Sequence, residues 1–483
     1  MSQTLARTLV FVTSAAVLVV EILAARLLAP YLGVSLEVFT GIIGVILAGI
    51  SLGAWLGGRT ADRTDPTGLL GPLLVAGGLT ALASPLVIDL IGPVLSTGPL
   101  SIVIGATVGF FAPAAILSAV PPVIVKIQLA SLEDTGRVVG SYSAIGTAGA
   151  ILGTFATGFV LIAAFPTRPI VITVGVLLAI VGAVLWASKS RWAALLSLGA
   201  AALLAVALMT FDGPCQYETT YHCAIVAVDE ERPSGRVLIL DRVRNSYVDV
   251  GDPTYLEFRY IQLMADVISV EAPEGPIDMV SIGGGGFTMP GYIEATRPAS
   301  NNLVLEIDER LVEIGHDDLA LSEAVDVVVE DARISMRDVA DDSADIVVGD
   351  AFSGASVPWH LTTVEFNREI DRAMATDGVY VMNIIDYNHR RFVRSGARTL
   401  REIFAHVAVF APLSYIDGDG GGNYVLVASQ QPIDMTGIEA ALAARGGVEI
   451  GIDGNRLTEF IGDGIVLTDD FAPVDQMLDP LRL

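Results

Sequence analysis

The chain has 483 residues, 52% of them hydrophobic, and a mean hydropathy of +0.61, which is too apolar for a soluble protein of this length. Nine Lys+Arg meet seven Asp+Glu up to Phe211; the remainder holds 19 Arg, no Lys and 47 acids, and the whole carries −26. Nucleic acid is thereby excluded as a partner, because phosphates demand basic surface. The lack of Lys among so many acids reads as a halophile-like acidic surface, whose self-repulsion salt screens.

Seven stretches, near 6–28, 36–58, 68–92, 99–122, 138–164, 168–187 and 191–211, are long and apolar enough for a bilayer, which needs roughly 20 residues. The first is not a signal peptide, since six more follow without a cleavage pattern. Spacings such as Gly49-x-x-x-Gly53-x-x-x-Gly57 let helix backbones approach closely in lipid. Loop charge collects Arg7, Arg59, Arg63, Lys126, Arg137, Lys189 and Arg191 on one side and only Arg26 and Arg168 on the other. The expectation is a multi-pass protein of the cell membrane with a cytoplasmic N-terminus and an extracytoplasmic C-terminal domain. Glu21 and Asp89 are ionisable groups inside the spans and carry either an interfacial ion pair or a transport role. Cys215 and Cys223, the only two cysteines, are a disulfide candidate that suits an oxidising exterior. No metal is expected, because two Cys and one nearby His are too few ligands.

Three domains follow from the pattern: a seven-span bundle over 1–211, a β-rich lead-in with a helix over 212–270, and an α/β domain over 271–483. The lead-in has strand-like runs at 224–228, 236–240 and 246–250, and a helix from about Thr254 to Val270. Strands are expected at 277–282, 303–307, 325–329, 346–349, 379–384, 406–410 and 424–428, with helical stretches from about Pro290, over 361–375 and over 392–404. Such alternation predicts a largely parallel sheet with its ligand at the carboxyl ends of the strands. Gly283-Gly284-Gly285-Gly286 follows the first strand, Glu306 ends the next, Asp331 with Ala332 the third and Asp350 the fourth. A glycine turn lets backbone come close to a ligand, and an acid about 20 residues on can grip ribose hydroxyls. Turn glycines and helix-capping acids are the plainer reading of the same residues.

These residues resemble the spermidine synthase family of aminopropyltransferases, of class I methyltransferase-like fold, and the whole chain resembles its membrane-fused members. The resemblance rests on the glycine run with Glu306, on 350–366 from Asp350-Ala351-Phe352 to Glu365-Phe366, on 467–475 with Asp469-Asp470, and on 21–33 and 57–63 in the bundle. It implies a Rossmann-like domain that binds decarboxylated S-adenosylmethionine or S-adenosylmethionine through Gly283, Gly284, Gly285, Glu306, Asp331 and Ala332, with Asp350 as general base for transfer to an amine. Tyr221-His222 fall where the family has Tyr-Gln, and Tyr260-Ile261-Gln262 where it has Tyr-His-Glu, so Tyr221, His222, Tyr260, Gln262 and Ser353 are the substrate-side candidates. Two acids that hold the family's diamine are replaced, by Gly286 and Ser353, which argues against putrescine, since a buried ammonium needs a partner. The expected acceptor is another small-molecule amine or a lipid-linked one, with the lipid bilayer as partner and the homodimer usual in the resembled family. Methyl transfer, a transporter whose synthase-like domain only binds a ligand, and a silent scaffold remain as alternatives. The orientation read from loop charge sets this domain opposite the cytoplasm, where adenosyl sulfonium cofactors are made.

Overall fold

The computed structural model describes residues 1–95, 98–129, 131–272, 274–352 and 357–478. The chain divides into two compact units, Met1–Cys223 and the part from Ala224 onward. That boundary lies beyond the expected join at Phe211, and the lead-in forms no body of its own.

The first unit holds seven helices long and apolar enough to cross a membrane: Gln3–Leu32, Leu36–Ala61, Pro66–Val94, Pro99–Gln128, Thr135–Ala164, Thr167–Ala187 and Arg191–Thr210, here spans 1 to 7. Their outer faces stay apolar, with Phe159, Trp192 and Leu90 more than three-quarters exposed. Glycine lets them pack closely. Gly49, Gly53 and Gly57 of span 2 lie against the backbone of Phe111, Ala115 and Ala119 in span 4. Gly149 and Gly153 of span 5 lie against Phe11 and Ala15 of span 1, and Gly71 and Gly78 of span 3 meet Gly182 and Gly175 of span 6. Spans 4 and 5 each contain a π turn, Thr107–Phe111 and Thr157–Leu161. Ser84 donates to the carbonyl of Gly109 at 2.7 Å, satisfying backbone that the first π turn frees.

The charges at one end of this unit are used within it. Arg168 pairs with Asp89 at 2.6 Å, and Arg26 pairs with Glu218 at 3.2 Å. Glu218 also accepts from the amide of Thr167 at 3.0 Å. The segment after span 7 is thus tied to the helix ends, and Cys215 and Cys223 close it as a disulfide.

The first unit ends on the two-residue strand β1 (Tyr217–Glu218), and the second opens with an antiparallel meander of β2 (Cys223–Val228), β3 (Gly235–Leu240) and β4 (Val243–Asp249). The helix after it runs Arg259–Glu271, five residues later than expected. Asp249 accepts from the amides of Gly251 and Asp252, and Asp252 from that of Thr254, so successive side-chain turns hold this stretch out of the helix.

Eight strands follow: β5 (Asp278–Ile282), β6 (Asn301–Glu306), β7 (Asp326–Val329), β8 (Ala344–Gly349), β9 (Met374–Asp386), β10 (His406–Pro412), β11 (Gly422–Ser429) and β12 (Glu449–Ile452), in the order β12-β10-β11-β9-β8-β5-β6-β7. β5 to β9 are parallel to their neighbours among themselves, and β11 inserts antiparallel between β9 and β10. Val280, Ile282, Leu305, Val347 and Tyr380 face one buried layer, and Met279, Ile346, Val348, Val379 and Val381 the other, so the strands read as continuous apolar runs. The helix expected over 361–375 is a short 3-10 turn, Trp359–Leu361, and then a helix Val364–Ala373 capped by Thr363. Its expected last residues, Met374 and Ala375, belong to β9 instead. The helix expected over 392–404 runs Arg391–Leu400, and β12 was not expected at all.

Candidate active site

The strand ends build the site. β5 leaves the sheet through Gly283, at φ +92°. A Cβ there would sit 2.8 Å from the carbonyl oxygen of Asp350, so glycine alone lets the ends of β5 and β8 lie together. The amide of Asp350 donates to Ile282 at 3.0 Å. β8 pairs with β9 so that Gly349 faces Met382, which sets the next two residues, Asp350 and Asn383, side by side. Asn383 donates to Asp350 Oδ1 at 2.9 Å and receives a bond from Asn423 on β11 at 3.0 Å. From the helix Arg259–Glu271, Tyr260 donates to Asp350 Oδ2 at 3.2 Å. Two groups therefore hold one carboxylate, and Asn423 orients one of them. Burial raises its pKa to about 6, against the pull of the Asn383 and Tyr260 bonds; burial and the nearby carboxylate push the Tyr260 hydroxyl far up.

These residues lie in a cavity of about 600 Å3, lined also by Gly283, Gly284, Gly285, Asn245, Ser246 and Ser281. Ser281 is only 3% exposed, and its hydroxyl has no hydrogen-bond partner among the described residues. Arg259, at the cavity edge, is neutralised by Glu449 at 2.9 Å. At the position where the resembled family carries an acid, the Gly286 amide donates to Ser246 Oγ at 2.9 Å. A Cβ on Gly286 would lie 2.6 Å from Ser246 Cβ, so a serine occupies the space that an acid's side chain would need.

Of the residues expected at the site, Gly283, Gly284, Gly285, Tyr260 and Asp350 come together around this cavity. Glu306 stands behind the loop, accepting from the amides of Gly284 at 2.7 Å and Asp308 at 2.9 Å. Asp331 accepts from the Arg333 amide at 2.8 Å and faces His360 Nε2 at 3.2 Å, with Ala332 buried beside it. These acids cap backbone first; each carboxylate keeps lone pairs for a ligand hydroxyl or amino group. Gln262 is a correction. Its amide donates to the Leu256 carbonyl at 2.6 Å and accepts from Arg259 at 2.9 Å, securing its own helix start away from the cavity lining. Tyr221 and His222 belong to the disulfide-closed segment of the first unit, their amides held by the Thr219 hydroxyl. Ser353 lies outside the described residues. Sequence reasoning missed Asn383, Asn423, Ser246 and Ser281. The signal for two of them was a polar residue interrupting an apolar strand, as in Met279-Val280-Ser281-Ile282 and Val381-Met382-Asn383-Ile384.

The second unit is an α/β domain of methyltransferase-like, spermidine synthase-like fold, preceded by a helical region of seven apolar helices. No family model matches the chain. Over 222 residues, 44% of this chain and 82% of the relative, it is 25% identical to a polyamine aminopropyltransferase of Chromobacterium violaceum. Among solved structures it is similar to a probable spermidine synthase from Corynebacterium glutamicum, at 27% identity and a TM-score of 0.49, covering 53% of this chain and 97% of that one. It is also similar to human methyltransferase-like protein 13 in complex with SAH, at 15% identity and a TM-score of 0.31, covering 45% and 96%. Among the described residues no group of His, Cys, Asp and Glu is arranged to hold a metal ion.

Proposed function

We propose that the protein is a membrane-embedded transferase that moves an aminopropyl group from decarboxylated S-adenosylmethionine to an amine other than putrescine. The observation that carries this reading is the carboxylate of Asp350, held by Asn383 and Tyr260 beside the glycine turn. The site fits such a cofactor: Gly283 to Gly285 leave an open cradle on the cavity, and Glu306 and Asp331 end the strands where ribose and adenine would lie. When bound, the sulfonium supplies an electrophilic carbon. Asp350 accepts the proton that the attacking amine nitrogen sheds as its bond to that carbon forms and the carbon–sulfur bond breaks, releasing methylthioadenosine. Tyr260 and Asn383 keep both carboxylate oxygens pointed at the cavity, and the apolar wall of Met289, Val348 and Phe352 limits water. The acceptor's far end is offered Asn245, Ser246 and Ser281, in a wall that also holds Glu257 and the Arg259-paired Glu449.

The purified full chain, given decarboxylated S-adenosylmethionine and a panel of amines, is expected to release methylthioadenosine, with putrescine among the poorest acceptors. Release of S-adenosylhomocysteine from S-adenosylmethionine instead would assign methyl transfer, and release of neither would reject both.

The disulfide and the loop charges support an extracytoplasmic second unit. On intact cells, an impermeant reductant followed by an impermeant maleimide is expected to label Cys215 and Cys223; labelling only after lysis would reverse the orientation. Opening this short loop should cost the segment about 2–3 kcal/mol by loop entropy.

A further inference from the structure

Shifting the chain by 100 residues aligns Phe11 with Phe111, Ala15 with Ala115, Ala48-Gly49 with Ala148-Gly149, Leu52-Gly53 with Leu152-Gly153, and Gly58 with Gly158. The structure uses these pairs as exchanged partners. Gly49 and Gly53 approach the carbonyls of Phe111 and Ala115, while Gly149 and Gly153 approach those of Phe11 and Ala15. Span 2 therefore meets span 4 as span 5 meets span 1. The third pair maps onto itself, Gly71 on Gly182 and Gly78 on Gly175. Such exchange is what a two-fold relation between spans 1–3 and spans 4–6 requires. Because each half has three spans, the halves enter a bilayer from opposite faces, an arrangement that transport proteins use to expose one central site to each side in turn.

One residue is placed to be that site. Glu21 of span 1 lies three, four, seven and eleven residues from Ala24, Val17, Leu28 and Val10, and so shares their helix face. Those four are 0–3% exposed, whereas Leu18 and Ala25, which flank Glu21 on its other side, are partly exposed, as is Glu21 itself. No described residue gives Glu21 a hydrogen bond or an ion pair. Asp89 of span 3 differs: it is matched by Arg168 at 2.6 Å and by Tyr31 at 3.2 Å. The repeat also breaks at Glu21, whose counterpart is Pro121, two residues past the interruption of span 4 at Ala119. Discontinuous helices near a pseudo-two-fold are where such proteins hold their cargo, and an unmatched carboxylate in apolar surroundings selects a cation.

We propose that spans 1–6 are two inverted halves of a passage for a protonated amine, with Glu21 as its binding carboxylate. The proposal rests on the reading of the helices as membrane spans and is independent of the transferase chemistry, which methylthioadenosine release reports separately. With the full chain reconstituted in phosphatidylcholine vesicles, labelled methylammonium is expected to enter faster than into protein-free vesicles. Glu21→Gln should cut that rate by at least about tenfold, with Glu21→Asp retaining part of it. Both native cysteines form the disulfide, so Glu21→Cys supplies a single thiol; it should react with a water-soluble maleimide, more slowly when methylammonium is present. Uptake unchanged by Glu21→Gln, a Glu21→Cys thiol that resists the reagent, or proton flux without amine uptake would each overturn the proposal.

Discussion

Asp350→Asn is expected to lower transferase turnover by about 10²–10⁴-fold, the usual contribution of a positioned base, while making the protein more stable at neutral pH. The amide fits the same contacts: its oxygen accepts from Asn383, and the Tyr260 hydroxyl can turn to accept from its nitrogen. The stability gain follows from burial. Asp350 titrates at about 6 in the folded protein, above the 3.8 of an ordinary aspartate, so the folded state holds its proton more tightly than the unfolded one. The group's contribution to stability is therefore full below pH 3.8 and is lost as pH rises through about 6. The ionised form then costs up to about 3 kcal/mol, less what water in the open cavity screens. Melting temperatures of Asp350→Asn and wild type should thus separate at pH 7.5 and converge toward pH 4. In wild type, kcat/KM should rise with pH along a limb centred near 6. Full activity in Asp350→Asn, or a rate with no such limb, would remove Asp350 from the role of base.

The acceptor end offers the second large effect. Gly286→Asp alone should destabilise the domain by about 1–3 kcal/mol, the range for overpacking, because its Cβ meets Ser246 Cβ at 2.6 Å and Val248 Cγ2 at 3.1 Å. Ser246→Gly alone should cost about 1 kcal/mol, leaving the Gly286 amide without its acceptor. The double variant should be better than the sum by at least about 1 kcal/mol, since each change makes room for the other. Gly286 is not among the glycines with positive φ, so its backbone accepts an aspartate. Only the double variant gives an aspartate room at the position where the resembled family carries one, and only it should gain putrescine as an acceptor, read as a rise in kcat/KM with that diamine. Additive destabilisation in denaturant titrations would mean that Ser246 does not fill the acid's place.

What was legible in the sequence was local. Seven apolar runs gave seven helices, and apolar strands closed by glycine or an acid gave β5 to β8 and the turn at Gly283. The less legible features depend on partners far apart along the chain. β12 has four residues, Glu449–Ile452, too few for their alternation to stand out, and exists because β10 offers an edge. Glu306 reads as a ligand-binding acid, yet its first bonds are to Gly284 and Asp308. Asn383 is uninformative until the register with β8 sets it beside Asp350. The loss of the acid at Gly286 could be read from the sequence; that Ser246, forty residues earlier, had taken its space could not. The 100-residue repeat is faint in letters, because helix packing needs only small residues at the crossing points.

Parity gives the seventh helix its meaning. Two halves of three spans return a chain to the side from which it started, so a six-span bundle would leave both of its ends on one face. Arg191–Thr210 belongs to neither half, and its addition makes the count odd. That single pass sets the side of a bilayer on which the α/β domain is expected, and deleting or duplicating it is expected to move that domain to the other side without touching either the repeat or the site.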